Sequence, residues 1–172
     1  MTKLDTLKQQ TAEMEAKLEE STAKLKEMKA EIERLENGWE MKCPYKEGDE
    51  YYFVSANGLA RYDSWDNYDF EKRAFAQGNI FPTEEAAKLE AKRRNLLTRF
   101  RAFRDECNNG WEPDWSNRDK KWEISHDSDD ERLKVFWCYA TNSFSTFGYF
   151  KNEQDAQRAI DLFGDEIKEL FM

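Results

Sequence analysis

This chain has almost none of the residues from which common catalytic and metal sites are built. One histidine, three cysteines and three prolines are spread over 172 residues. Neither phosphate-cradling glycine pattern, G-x-x-x-x-G-K-[ST] or G-x-G-x-x-G, occurs. His126 lies in the polar run Ser125-His126-Asp127-Ser128 with no Gly-x-Ser-x-Gly or cysteine context, so a triad has no nucleophile to activate. It reads as an exposed turn histidine. Cys43, Cys107 and Cys138 are odd in number, far apart and without a C-x-x-C pair. They are expected as reduced thiols in a cytosol, not as a disulfide frame or a zinc site. Asp129-Asp130-Glu131 lacks the alternation and glycine of a calcium loop and reads as a solvated turn. No cofactor, no metal and no enzymatic activity are expected.

Long apolar runs are missing too. The opening Met1-Thr2-Lys3-Leu4 carries no apolar signal core, and no window approaches a membrane span. A cytoplasmic protein without a membrane partner is expected. Charged residues make up 37% and hydrophobic ones 39%, which is low for a compact domain, so much of the charge belongs on an elongated, solvated element. Aromatics reach 15%, which a disordered chain would not. The formal net charge of -9 excludes a general DNA-coating protein, since phosphates need a cationic surface. It suits an ordinary acidic protein, or one that meets a basic surface on another protein.

What is present begins with a 3-4 apolar spacing: Leu4, Leu7, Met14, Leu18, Leu25, Met28, Ile32 and Leu35, with Thr11 and Ser21 at the two remaining seam positions. Glu, Lys, Gln and Ala fill the intervals, and no Pro or Gly interrupts before Gly38. The spacing predicts a coiled-coil helix over 1–37, ended at Asn37-Gly38. So narrow a stripe is too thin for the wall of a globular core and needs another helix. That helix belongs to a second copy, to the chain's own body folded back, or to a foreign protein; a homo-oligomer is the expectation. A parallel in-register dimer would oppose Lys3 to Lys8, Lys24 to Lys29 and Glu31 to Glu36. This favours an antiparallel pair, a trimer or a hetero-assembly.

The remainder predicts an α+β body with antiparallel strands and helices over one face. In residues 38–110, Tyr51-Tyr52-Phe53-Val54 is strand-like, Asn57-Gly58 a hairpin turn, Leu59–Tyr62 the return strand, and Ser64-Trp65-Asp66 leads to a third extended or irregular piece. Thr83 then caps a helix to about Glu106, with Ala86, Leu89, Leu96, Phe100 and Phe103 as its buried face. In residues 111–172, Lys121–Ile124, Leu133–Tyr139 and Phe147–Phe150 read as strands. Asn152 caps a helix stopped by Gly164, and Asp165–Phe171 forms a last turn. Setting Phe81-Pro82-Thr83-Glu84 over Phe150-Lys151-Asn152-Glu153 brings Ala87 onto Ala156 and Tyr52-Phe53 onto Lys121-Trp122. This is either a duplicated hairpin–strand–helix unit or a chance likeness of two strand-to-helix junctions. Tyr52, Phe53, Trp65, Trp122, Phe136 and Phe150 are expected to supply most of the core.

Two segments are candidate binding sites. Lys92, Arg93, Arg94, Arg99, Arg101 and Arg104 form a strip without an intervening acid, in a protein that is otherwise acidic. It is either a phosphate- or acid-binding surface or an internal partner for carboxylates on the first helix or nearby. In Trp111-Glu112-Pro113-Asp114-Trp115, the two tryptophans are either an interaction anchor or base-stacking platform, or a clamp between the halves of the core.

Gly48-Asp49-x-Tyr51-Tyr52-Phe53, Trp65, Gly78-Asn79-Ile80-Phe81-Pro82-Thr83-Glu84-Glu85, Trp111-x-Pro113-Asp114-Trp115 and Tyr149-Phe150-Lys151…Ala156-x-x-Ala159-Ile160 together resemble small proteins encoded by phages and prophages of Gram-positive bacteria. The likeness covers roughly residues 39–172, the coiled coil being a variable addition. It implies a phage accessory setting in the host cytoplasm and brings no catalytic residues. Small acidic phage proteins of this kind often bind host machinery, including as inhibitors of CRISPR nucleases. The leading expectation is therefore an oligomeric protein that binds a host protein. A nucleic-acid-binding module and a structural or assembly protein are the alternatives.

Overall fold

The computed structural model describes residues 3–39 and 41–172 and divides the chain into two compact units, Met1–Pro44 and Tyr45–Met172. The first is one helix, α1 (Lys3–Asn37), 35 residues long, or roughly 52 Å at the standard rise. Every side chain described on it is exposed. Gly38 follows with φ +75, the left-handed conformation that ends helices.

The second unit is α+β and holds two hairpins, not one sheet. Strands β1 (Glu50–Val54) and β2 (Ala60–Ser64) pair antiparallel with Tyr52 opposite Tyr62. Helices α2 (Asp69–Ala76) and α3 (Glu84–Asn108) follow. Strands β3 (Lys121–Asp127) and β4 (Arg132–Cys138) pair with Trp122 opposite Trp137, and α4 (Glu153–Phe171) ends the unit. Helix α3 lies against β1–β2 and α4 against β3–β4, and the two helices pack on each other.

Both halves follow one plan. Tyr52 and Phe81 exchange backbone hydrogen bonds of 2.9 and 2.8 Å; Trp122 and Phe150 do so at 3.0 and 2.7 Å. Two residues after each bridge lies the N-cap of a long helix, Thr83 or Asn152, and each helix buries its fourth residue completely, Ala87 or Ala156. The bridges set Tyr52 over Trp122, so the hairpins are shifted by one residue from the offset that matches the helix starts. The first half also contains α2, which has no counterpart in the second.

Several expectations needed correction. Residues 69–76, within the stretch expected to be extended or irregular, are helical: the carboxylate of Glu71 turns back to accept from the Asp66 and Tyr68 amides. Phe147–Phe150 is no third strand but a single bridge, because Gly148 has φ +73 and breaks the extended run. Gly164 does not stop α4. The helix continues because Phe163, Ile167 and Leu170 stay on its buried face, which outweighs the roughly 1 kcal/mol a helical glycine costs.

The core is Leu96 and Phe100 of α3 with Ile124, Phe147, Phe150, Ala156, Ala159, Phe163, Ile167 and Leu170. On α3, Ala87 is buried where Ala86 was expected, and Leu89 is 38% exposed. Trp65 and Phe150 are core residues as anticipated. In β1 it is Tyr51 that is buried, its ring 6.0 Å from Trp65 and 6.2 Å from Tyr45, whereas Tyr52, Phe53 and Trp122 are only half-buried. Phe136 is exposed. A pleat turns alternate residues to opposite faces, so the three consecutive aromatics of β1 cannot all be buried on one face.

Candidate interaction surfaces

The seam of α1 is a continuous apolar stripe in contact with water. Leu4, Leu7, Met14, Leu18, Leu25, Met28, Ile32 and Leu35 are each more than half exposed. The polar seam residue Thr11 donates its hydroxyl to the Leu7 carbonyl at 2.9 Å, which leaves its methyl group for packing. On the flanks, Lys24 pairs with Glu20 and Arg34 with Glu31, both open to solvent and of little consequence for stability.

The basic strip of α3 is engaged within its own unit. Lys92 Nζ reaches Glu169 at 3.1 Å, and Arg93 Nε donates to the Leu170 carbonyl at 2.6 Å with its guanidinium over Phe171. Arg94 donates to Glu90 and Asn79, both at 2.8 Å, and to the Gly78 carbonyl. Arg99 grips Glu166 with both terminal nitrogens and holds that carboxyl below the usual carboxylate range. Arg104 donates to the Phe147 carbonyl at 3.1 Å and to Asp105. Arg101 is exposed and makes no hydrogen bond or ion pair to a described residue. The strip thus ties α3 to α4 and to the chain before each helix. The pairing with neighbouring carboxylates, one of the two readings above, is what the geometry displays.

The tryptophan loop packs around a residue that the sequence pattern did not single out. Trp115 is half-buried, edge-on to Tyr149 with centroids 5.0 Å apart. Lys121, which no pattern singled out, is completely buried beside it. Its ammonium lies 5.4 Å from the Trp115 ring centre and donates to Asn117 Oδ1 and the Asp119 carbonyl, both at 2.9 Å. Asp114 is held below its ordinary pKa by the Ser116 hydroxyl and amide, with help from Lys121 and Asn117. Trp111 is half-buried, its amide on the Asn108 carbonyl.

Asn108 is another residue that no sequence pattern singled out. It is 8% exposed, donates to the Tyr149 carbonyl at 2.8 Å and accepts from the Lys151 amide at 3.0 Å. The side-chain amide stands in for a neighbouring strand along 149–151. Asn79 does the same for Val54, accepting from its amide and donating to its carbonyl.

Phe136, Trp137, Tyr139 and Phe144 are aromatic side chains left open to solvent in the second half, Phe144 at 89%. Lys120 Nζ lies 4.9 Å from the Trp137 ring centre and 5.2 Å from that of Trp122. His126 is exposed on β3. Burial raises the pKa of the Cys107 and Cys138 thiols, which keeps both poor nucleophiles. Among the described residues, no group of three or more His, Cys, Asp or Glu could hold a metal ion, and no helix is long and apolar enough to cross a membrane. An open groove of about 790 Å³ runs beside Leu59, Ala60, Lys88 and Lys92, where Lys88 is paired to Glu84 and Lys92 to Glu169. No family model matches the chain, and no curated protein or solved structure matches it.

Proposed function

We propose that this chain is a non-enzymatic, self-associating protein that binds another protein, with α1 as its assembly element. The exposed leucine–methionine seam carries the reading. Fully burying such side chains is worth roughly 1.5–3 kcal/mol each, so a solvated stripe of eight is a strong drive toward a second helix.

The resemblance to phage and prophage proteins gives the setting: an accessory protein acting in the host cytoplasm on a host protein, with a defence nuclease of the CRISPR kind as the leading class. The net charge of -9 supports this, because an acidic surface suits the cationic groove of such a nuclease. The intramolecular engagement of Lys92, Arg93, Arg94, Arg99 and Arg104 supports it further, since those cations are drawn away from nucleic acid. Phe136, Trp137, Tyr139 and Phe144 are contact residues of the type that dominates interfaces. A purely structural role would use the same seam.

The test is sedimentation of the full chain together with affinity capture from host extract, with and without residues 1–37. The expected result is an oligomer that retains a host protein, with retention weakened when Phe136 and Trp137 become alanine. A monomer at working concentration, or capture of nothing, would overturn the reading. A low-salt mobility shift abolished by Arg101→Glu would replace it with nucleic-acid binding.

A further inference from the structure

The charges that flank the α1 seam distinguish between the ways a second copy can lie on it. Lys3, Gln10, Lys17, Lys24 and Glu31 form one flank, and Lys8, Glu15, Thr22, Lys29 and Glu36 the other. In a parallel pair each flank faces the opposite one, whereas in an antiparallel pair each faces its own copy. The parallel in-register pair contains the three like-charge contacts already named, each twice by symmetry, and no attractive one. The antiparallel pair with full overlap, Leu4 against Leu35, opposes Lys17 to Lys24 and Lys8 to Lys29, again each twice.

Sliding that antiparallel pair by one heptad, so that residues 3–7 overhang, reverses the balance. Lys17 then meets Glu31, Lys8 meets Glu36 and Glu15 meets Lys29, each twice, and of the charged residues only Lys24 faces its own copy. In the core Leu18 meets Met28, Met14 meets Ile32, Ser21 meets Leu25 and Thr11 meets Leu35. The opposite slide gains only Lys3 with Glu31, and it sets Lys17 and Glu15 each against itself. We infer that α1 pairs with a second copy of this chain, antiparallel and offset by one heptad, with Leu18 packed on the partner's Met28.

An observation at the far end of the helix supports the offset independently. Past Gly38, Trp39 is 85% exposed beside a groove of about 960 Å³ bordered by Ala30, Arg34, Leu35 and Lys42. The offset brings the partner's Leu7 to the height of Trp39, so the overhanging leucine meets an apolar side chain and not water. Thr11 suits its place against leucine because its hydroxyl is already bonded within the helix. Single exposed ion pairs are weak, and the discrimination comes from their sum over both flanks. The two chain exits at Gly38 would lie about 45 Å apart at 1.5 Å per residue.

This inference rests on the self-association proposed above, and its test separates the two. In the full chain, with Cys43, Cys107 and Cys138 replaced by serine, Leu18→Cys protein mixed with Met28→Cys protein is expected to form the mixed disulfide and no Leu18→Cys self-disulfide. Glu31→Lys is expected to weaken the dimer about tenfold, and Lys17→Glu in the same chain to restore it. A parallel pair gives the opposite sign, since the reversed charge would face Glu36 and tighten the dimer. Self-disulfides at position 18 with a tighter Glu31→Lys dimer, or a trimeric mass, would overturn the inference and leave self-association standing. A monomeric mass would overturn both.

Discussion

The ammonium group of Lys121 is completely buried 5.4 Å from the ring centre of Trp115, and it fastens the loop before β3 to the start of the strand. A buried charge with two hydrogen-bond acceptors and an aromatic face is stable only while all of them remain. Lys121→Met is expected to lower unfolding stability by about 2–3 kcal/mol, through the unpaired acceptors of Asn117 and Asp119. Trp115→Ala should act on the same unit, so the double variant loses less than the sum of the two. Urea denaturation of the singles and the double reads this coupling.

Asn108 should behave as part of the fold and not as a turn residue. Asn108→Ala leaves the Tyr149 carbonyl and the Lys151 amide without their buried partner and is expected to cost about 2 kcal/mol by denaturant titration. Asn109→Gly, at a helix C-cap with φ 48 and ψ 50, relieves a left-handed backbone and is expected to be neutral or stabilising.

The basic strip divides into structural and free cations, and substitution should reveal the division. Arg94→Ala removes bonds to Glu90, Asn79 and the Gly78 carbonyl and is expected to cost about 1 kcal/mol. Arg101→Glu disturbs no described hydrogen bond or ion pair and should stay within about 0.5 kcal/mol of the unmodified protein. Equal losses at the two positions in thermal unfolding would contradict this division.

Alkaline unfolding should carry a Tyr51 component. Burial, then Asp63 and Glu71, push the phenol up to about 12 from its usual 10. The folded state therefore favours the neutral phenol, a contribution fully present below pH 10 and lost as the pH rises toward 12. Tyr51→Phe should flatten the stability curve across that window, and tyrosinate absorbance should show one late-titrating phenol that disappears in the variant. On the acid side, Arg99 holds Glu166 low and Lys134 holds Asp127 low, so their contribution is present above the ordinary carboxylate range. It fades as the pH falls through the lowered values.

The first helix, the hairpin turn at Asn57-Gly58, the Thr83 cap and the likeness of the two strand-to-helix junctions were legible because each is a local signal. A seam repeating every three and four residues, a residue that accepts positive φ, or a hydroxyl three residues before an amide needs no knowledge of the rest of the chain. Residues 69–76, the continuation of α4 through Gly164, the choice of Tyr51 over Tyr52 for the core, and the burial of Lys121 were decided by tertiary structure. In each case the local preference was weak or contrary, and contacts between residues distant in sequence outweighed it: Glu71 with Tyr51, Phe163 with Phe100, Tyr51 with Trp65 and Lys121 with Trp115. The basic strip shows the same limit, since charge is visible in a sequence but its partners are not. Only packing α3 against α4 assigned Lys92 to Glu169 and Arg99 to Glu166, because side chains some seventy residues apart meet only once the fold has closed.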